Sequence, residues 1–159
     1  MAEAVVAYRI GWAQAGTLLE QSYGATLAPG RWHSLQPGAQ PRRLIYAASS
    51  RALAQLEKRV HANGVTPVGL ALFTLTLPAR LVVPEAAALG LRADWRDDEG
   101  ATQAFGNRWL DEGRQLALWV PSYVEPQENN LLINAAHLRL NEITLVKERD
   151  PFEFDPRLV

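Results

Sequence analysis

Between Pro67 and Pro78 the chain reads PVGLALFTLTLP, a run rich in Leu and Thr around Phe73 that two prolines bracket and that predicts one long strand. Further strands are predicted over 5–10, at RLIYAA (43–48), at LVV (81–83), and within QLALWVPS, NLLIN and EITLVK, while the tail DPFEFDPRLV is expected to pack as an edge. Only two long helices compete with them, one over 49–64 and one over 101–112, with a short helix near 17–23 ahead of the Gly/Pro-rich loop GATLAPGRWHSLQPGAQP. Strands outnumber helices and do not alternate with them strictly, which implies an α+β or mixed sheet and not a doubly wound parallel one. No repeat, low-complexity tract or charge block divides the sequence, so residues 1–159 are read as one domain, long enough to bury a core without staples.

The net charge of −1 gives no electrostatic footprint for nucleic acid and no polybasic face for a membrane, so direct nucleic-acid binding is not expected. The absence of cysteine removes disulfides, thiolate catalysis and zinc ribbons together. MAEAVVAYRI lacks a basic start followed by a sustained apolar run, and no segment approaches the roughly 18 apolar residues of a spanning helix. The expectation is a cytoplasmic protein.

Within SSRALAQLEKRVHANG (49–64), Leu53, Leu56 and Val60 cluster on one side of a helix. Glu57 falls only about 40° round from Leu53, inside that stripe. A carboxylate facing a core costs free energy unless hydrogen bonds or a cation meet it. Glu57 is therefore either half of a structural ion pair or a working group. Ser49 or Ser50 can cap this helix, and Asn63-Gly64 can end it. In the second helix Ala101, Phe105 and Trp109 share the inward side, with Gly113 placed for the C-terminal cap.

Other candidates are weaker. PGRWH sets Arg31, whose fork suits phosphate or carboxylate, beside Trp32, a stacking face or a core ring. Ser122 closes a strand where a hydroxyl serves a ligand or a turn equally well. Glu57 and His61 stand at i and i+4, but no third ligand or H-E-x-x-H follows, so no metal is expected. Ser122 lacks the G-x-S-x-G elbow of a hydrolase. Neither G-x-G-x-x-G nor a P-loop is present, so side chains would have to hold any nucleotide.

Taken in order, GRW with Arg31, LIYAASSRALAQLE with Tyr46 and Glu57, VPS with Ser122, ENNLLIN with Asn134 and the closing FDPRL resemble the RES domain, a family named for its arginine, glutamate and serine. The match spans nearly the whole chain; the ordered set is specific although no single piece is. The family often has Asn where this sequence has His33, and often INP where this has Ala135.

The resemblance implies an ADP-ribosyltransferase-like fold, with two small β-sheets around a central cleft flanked by helices, and an activity against NAD as substrate without a resident cofactor. It implies a toxin whose partner is an Xre-family helix-turn-helix antitoxin, with a homodimer as a compatible assembly inside that complex. Members are described as degrading NAD by hydrolysis or phosphorolysis, or as passing ADP-ribose to a protein. Catalytic roles would fall to Arg31, Glu57 and Ser122. Glu57 would stabilise the ribosyl cation, Arg31 would anchor the pyrophosphate or share the site with Glu57, and Ser122 would bond the ribose or position the attacking water or phosphate. Tyr46 and Trp32 would line the nicotinamide, and Asn134 would orient a loop or the ribose. The rivals are an ADP-ribosyltransferase on the same site, a non-enzymatic binding module with Arg31 and Glu57 as a structural pair, and an RNA-cleaving toxin.

Overall fold

The computed structural model describes residues 3–36, 38 and 40–158. Pro37 and Ala39 of the Gly/Pro-rich loop, Met1 and Ala2 ahead of the first strand, and Val159 of the tail lie outside the described residues.

Six strands make one antiparallel sheet in the order β4-β5-β2-β1-β3-β6. They are β1 (Val5–Trp12), β2 (Leu44–Ala48), β3 (Leu70–Leu77), β4 (Ala117–Pro121), β5 (Asn129–Asn134) and β6 (Thr144–Arg149). One sheet replaces the two that were expected. The two halves remain joined at a narrow seam: β1 and β2 pair only at Tyr8↔Ala48, whereas β1 pairs with β3 from Val5↔Leu77 through to Trp12↔Leu70. Where the β1–β2 ladder stops, the Arg9 side chain takes its place. Its Nη1 donates to the carbonyl of Tyr46 on β2 (2.9 Å), and its Nε and Nη2 donate to the side chain and carbonyl of Gln21 (2.6 and 3.2 Å). Burial draws this guanidinium's pKa down to about 10. Gln21 ends α1 (Leu18–Gln21), and α2 (Tyr23–Leu27) follows, so two short turns stand where one short helix was expected.

Successive strand residues face opposite sides. Ala7, Ile45, Ala47, Ala71, Phe73, Leu131 and Ile133 build the core on one face of the sheet. On the other, Leu44, Leu118, Val120 and Leu132 pack under α4 (Glu99–Glu112), while Ile10, Ala48, Leu70 and Leu72 pack under α3 (Arg51–His61). The two long helices thus share a face, and the groove between them runs over Ala48 and its partner Asn130.

Both helices begin on a side-chain cap: Ser50 accepts from Leu53 N–H (3.0 Å) and Asp98 from Ala101 N–H (3.0 Å). Gly113 ends α4 at φ 62°, the left-handed conformation foreseen for it. In α4, Phe105 and Trp109 face inward with Thr102, Gly106 and Leu110. The inward face of α3 differs from the expected stripe: Leu53 and Ala54 are buried, but Leu56 and Val60 are 42 % and 56 % exposed. The buried arc is rotated toward the small Ala54, and Glu57 falls near its middle.

Two other expectations are corrected. LVV forms no strand; residues 81–84 run as a loop to a single parallel bridge, Glu85↔Trp119, where Pro84 O accepts Trp119 N–H (2.9 Å), and the chain then enters a 3-10 turn at Ala86–Leu89. The tail returns to the sheet through one bond, Phe152 N–H to Leu70 O (2.8 Å), with the Phe152 ring buried beside it, and adds no strand. Among the described residues no helix is long and apolar enough to cross a membrane.

Candidate active site

Glu57 projects from α3 into the groove, its side chain 20 % exposed. One carboxylate oxygen does all the bonding. Oε1 accepts from Ser122 Oγ (2.7 Å) and from Asn130 Nδ2 (2.8 Å). The exposed His61 is near Oε2, but its Nδ1 is 3.9 Å away and donates instead to the Glu57 carbonyl (2.7 Å). Two donors on one oxygen fix the orientation of the carboxylate and leave the other oxygen available.

Ser122 is fully buried and its hydroxyl is saturated. A hydroxyl has one proton to give and two lone pairs. The proton goes to Glu57, and the lone pairs accept Val124 N–H (3.1 Å) and Glu125 N–H (3.0 Å). Ser122 therefore positions Glu57, and nothing remains on Oγ for a ribose, water or phosphate.

Arg31 does not pair with Glu57. Its Nη2 donates to the carbonyls of Trp95 (2.9 Å) and Arg96 (2.8 Å), and its guanidinium stacks 4.3 Å from the centroid of Tyr123. Tyr123 follows Ser122 directly, so the strand-end segment 122–123 holds Glu57 with one residue and faces Arg31 with the next. The Arg31 Nε is buried with no acceptor among the described residues.

Arg31 rides on a tight turn, residues 30–33, closed by Gly30 N–H to His33 O (3.1 Å). Helix α4 and strand β2 both grip that turn. Thr102 Oγ1 on α4 donates to Arg31 O (2.7 Å), Gln103 Nε2 donates to Gly30 O (2.9 Å), and the Tyr46 hydroxyl accepts Trp32 N–H (3.3 Å). A Cβ on Gly30 would stand 2.5 Å from the Tyr46 hydroxyl, and one on Gly106 would stand 1.7 Å from Trp32 O, so both contacts need glycine.

The same turn settles His33, Tyr46 and Trp32. Nε2 of the buried His33 lies 2.9 Å from Ala25 O, which can only accept, so Nε2 carries the proton and Nδ1 accepts from Tyr46 (2.7 Å). Burial holds the His33 pKa below its usual value and pushes that of Tyr46 well up. Tyr46 is a strut of the turn, its hydroxyl committed on both sides. Trp32, 2 % exposed, packs against Trp95 (5.8 Å between centroids) and edge-on to Phe105 (6.3 Å). It is a core ring and offers no face to a ligand.

Asn134 sits opposite Leu44 at the far end of the β2–β5 pair from Asn130. Its Nδ2 donates to Leu110 O (3.2 Å) and its Oδ1 accepts Ala136 N–H (3.0 Å), so it orients a loop. Asn130 holds the place beside Glu57 that sequence reasoning did not assign. The signal was a polar residue inside the strand NNLLIN, where a buried central strand tolerates one only with a partner. No group of three His, Cys, Asp or Glu that could hold a metal exists among the described residues. Surface cavities beside Arg42 and beside Phe152 and Phe154 include none of these site residues, so hydrogen bonding and not cavity size marks the site.

The model of the RES domain matches residues 6–155. The chain belongs to the RES domain family. Similar family members include a protein of Sphingobium sp. (strain YBL2) named Prs ADP-ribosylating toxin, 38 % identical over 142 residues that cover 86 % of this chain and 84 % of that one. Another, named Toxin Res, from Yersinia enterocolitica, is 34 % identical over 142 residues, covering 86 % and 88 %. Among solved structures, the Mycobacterium tuberculosis MbcT–MbcA toxin–antitoxin complex contains a chain that superposes with TM-score 0.65 at 20 % identity, covering 92 % of this chain and 85 % of that one. That likeness is one of fold.

Proposed function

We propose that this RES protein cleaves the bond between nicotinamide and ribose in NAD, and so acts as a bacterial toxin by draining the dinucleotide pool of the cell that makes it. The observation that carries the reading is the carboxylate of Glu57, held at Oε1 by Ser122 and Asn130 and free at Oε2, with its side chain only 20 % exposed.

Nicotinamide leaves a pyridinium as a neutral base, so departure needs no general acid. The barrier lies in the positive charge that builds on the ribose as the bond breaks. A carboxylate already oriented stabilises that charge without reorganising, and more strongly where solvent is excluded. Arg31, fixed by two carbonyls with Nε unpaired, suits the pyrophosphate. Water would give ADP-ribose, and inorganic phosphate its 1″-phosphate. The ADP-ribosyltransferase-like reading of the fold goes with this chemistry, and its support is the groove between α3 and α4 over one face of the narrowly joined sheet.

A second acceptor is favoured by one specific finding, the relative named for ADP-ribosylating Prs. In that reading the same site passes ADP-ribose to a protein. Incubating the purified protein with NAD, with and without phosphate, separates water from phosphate as acceptor. Modified protein in a lysate without bulk NAD loss would favour transfer. The partner proposed is an Xre-type helix-turn-helix antitoxin that covers the groove, in line with a structural neighbour solved as a toxin–antitoxin complex. A small helix-turn-helix reading frame beside the gene supports the pair; its absence counts against it.

A further inference from the structure

Two buried side-chain atoms lack a hydrogen-bond partner among the described residues, Arg31 Nε and Asn130 Oδ1, and both belong to the candidate site. The second has a chemistry of its own. Asn130 is 9 % exposed on β5, opposite Ala48 on the groove side of the sheet, and its Nδ2 donates to Glu57 Oε1 at 2.8 Å. The amide cannot be turned the other way, because that would set Oδ1 against a carboxylate oxygen with no proton between them. Its carbonyl is thus fixed as an acceptor beside Glu57, and no side chain or backbone group among the described residues supplies the donor. A buried amide carbonyl left unpaired costs stability, and a ligand that brings a hydroxyl to it recovers that loss on binding.

We propose that Asn130 Oδ1 accepts a hydrogen bond from the 3′-hydroxyl of the nicotinamide-side ribose, making Asn130 a substrate-contacting residue that selects a ribose carrying both hydroxyls. The inference rests on the NAD-cleaving reading. The negative charge must lie nearest the anomeric carbon, so the free Oε2 of Glu57 pairs with the adjacent 2′-hydroxyl. The neutral carbonyl, one amide further along, then meets the next hydroxyl. Adjacent acceptors on Glu57 and Asn130 complement a vicinal diol, which offers two donors.

The test measures nicotinamide release by the wild-type protein and by Asn130→Ala, with NAD and with the analogue lacking the 3′-hydroxyl on the nicotinamide ribose. In the wild type, loss of the hydroxyl is expected to lower kcat/KM about tenfold, the worth of one neutral hydrogen bond. In Asn130→Ala the same analogue is expected to be cleaved within about twofold of NAD, because the partner is already gone. A merely structural Asn130 would lower both substrates alike and preserve their ratio, which overturns the inference. Should Asn130→Ala fail to fold, the wild type alone decides: equal turnover of NAD and the 3′-deoxy analogue overturns it. Absence of nicotinamide release from NAD itself is a separate outcome, which removes the NAD-cleaving reading and this assignment with it.

Discussion

Replacing Ser122 by Ala separates a serine that positions Glu57 from one that touches the substrate. The change removes three hydrogen bonds at a fully buried site: the donation to Glu57 Oε1 and the acceptance of Val124 and Glu125 N–H. A bond to a carboxylate is worth about 2 kcal/mol and each backbone bond about 1 kcal/mol, while the half-buried backbone groups recover some loss through water; the net is about 3 kcal/mol. For a domain of this size that lowers Tm by about 6–12 °C. Freed of one of its two donors, the carboxylate swings, and kcat for nicotinamide release is expected to fall up to about a hundredfold with KM changed less than about twofold. Calorimetry and steady-state kinetics on the same preparation supply both numbers. A variant with wild-type Tm and no activity would refute the reasoning, because the hydroxyl would then be acting on the substrate and not on Glu57.

Three further outcomes follow from the geometry. Gly106→Ala sets a methyl 1.7 Å from the carbonyl of Trp32, where only backbone can yield; the overpacking, about 3 kcal/mol or more, exceeds the roughly 1 kcal/mol of helix propensity gained, so Tm falls and nicotinamide release is lost as the Arg31 turn moves. Because burial lowers the pKa of His33 from 6.5 in the folded state, the unfolded chain takes up that proton first as pH falls. Its contribution to stability is present above about pH 6.5 and is lost progressively below it. Denaturant midpoints at pH 7.5 and 5.5 should show this slope in the wild type and a smaller one in His33→Gln; equal slopes would contradict the buried neutral imidazole. Glu57→Gln keeps an oxygen able to accept from Ser122 and Asn130, so its Tm should stay within about 3 °C of wild type, an effect below about 1 kcal/mol by the same size scaling.

The inward carboxylate was legible because helical periodicity alone places Glu57 within reach of Leu53. The centre of that face was not: Leu56 and Val60 carry the hydrophobicity but lie outside the buried arc, since the small Ala54 permits the close approach to the sheet. Trp32 and Ser122 show what residue type cannot convey. Both chemistries suit a ligand, yet packing against Trp95 and Phe105 seals the ring, and a turn at 122–125 uses both lone pairs of the hydroxyl. Of the two roles open to Arg31 in the sequence, anchoring a pyrophosphate or sharing the site with Glu57, the structure shows no pair with Glu57; carbonyls of Trp95 and Arg96 hold it, contacts between distant parts of the chain that no local pattern announces. Likewise, strand patterns gave the elements, but whether they make one sheet or two hangs on a single pair, Tyr8↔Ala48, and on the Arg9 side chain beside it.

Release of nicotinamide from NAD by the wild-type protein and by folded Glu57→Gln, followed side by side, bears most directly on the central claim. The account predicts steady release by the wild type and a loss of about a thousandfold or more in the variant. Equal rates in the two proteins, or no release by the wild type at any concentration, would contradict it.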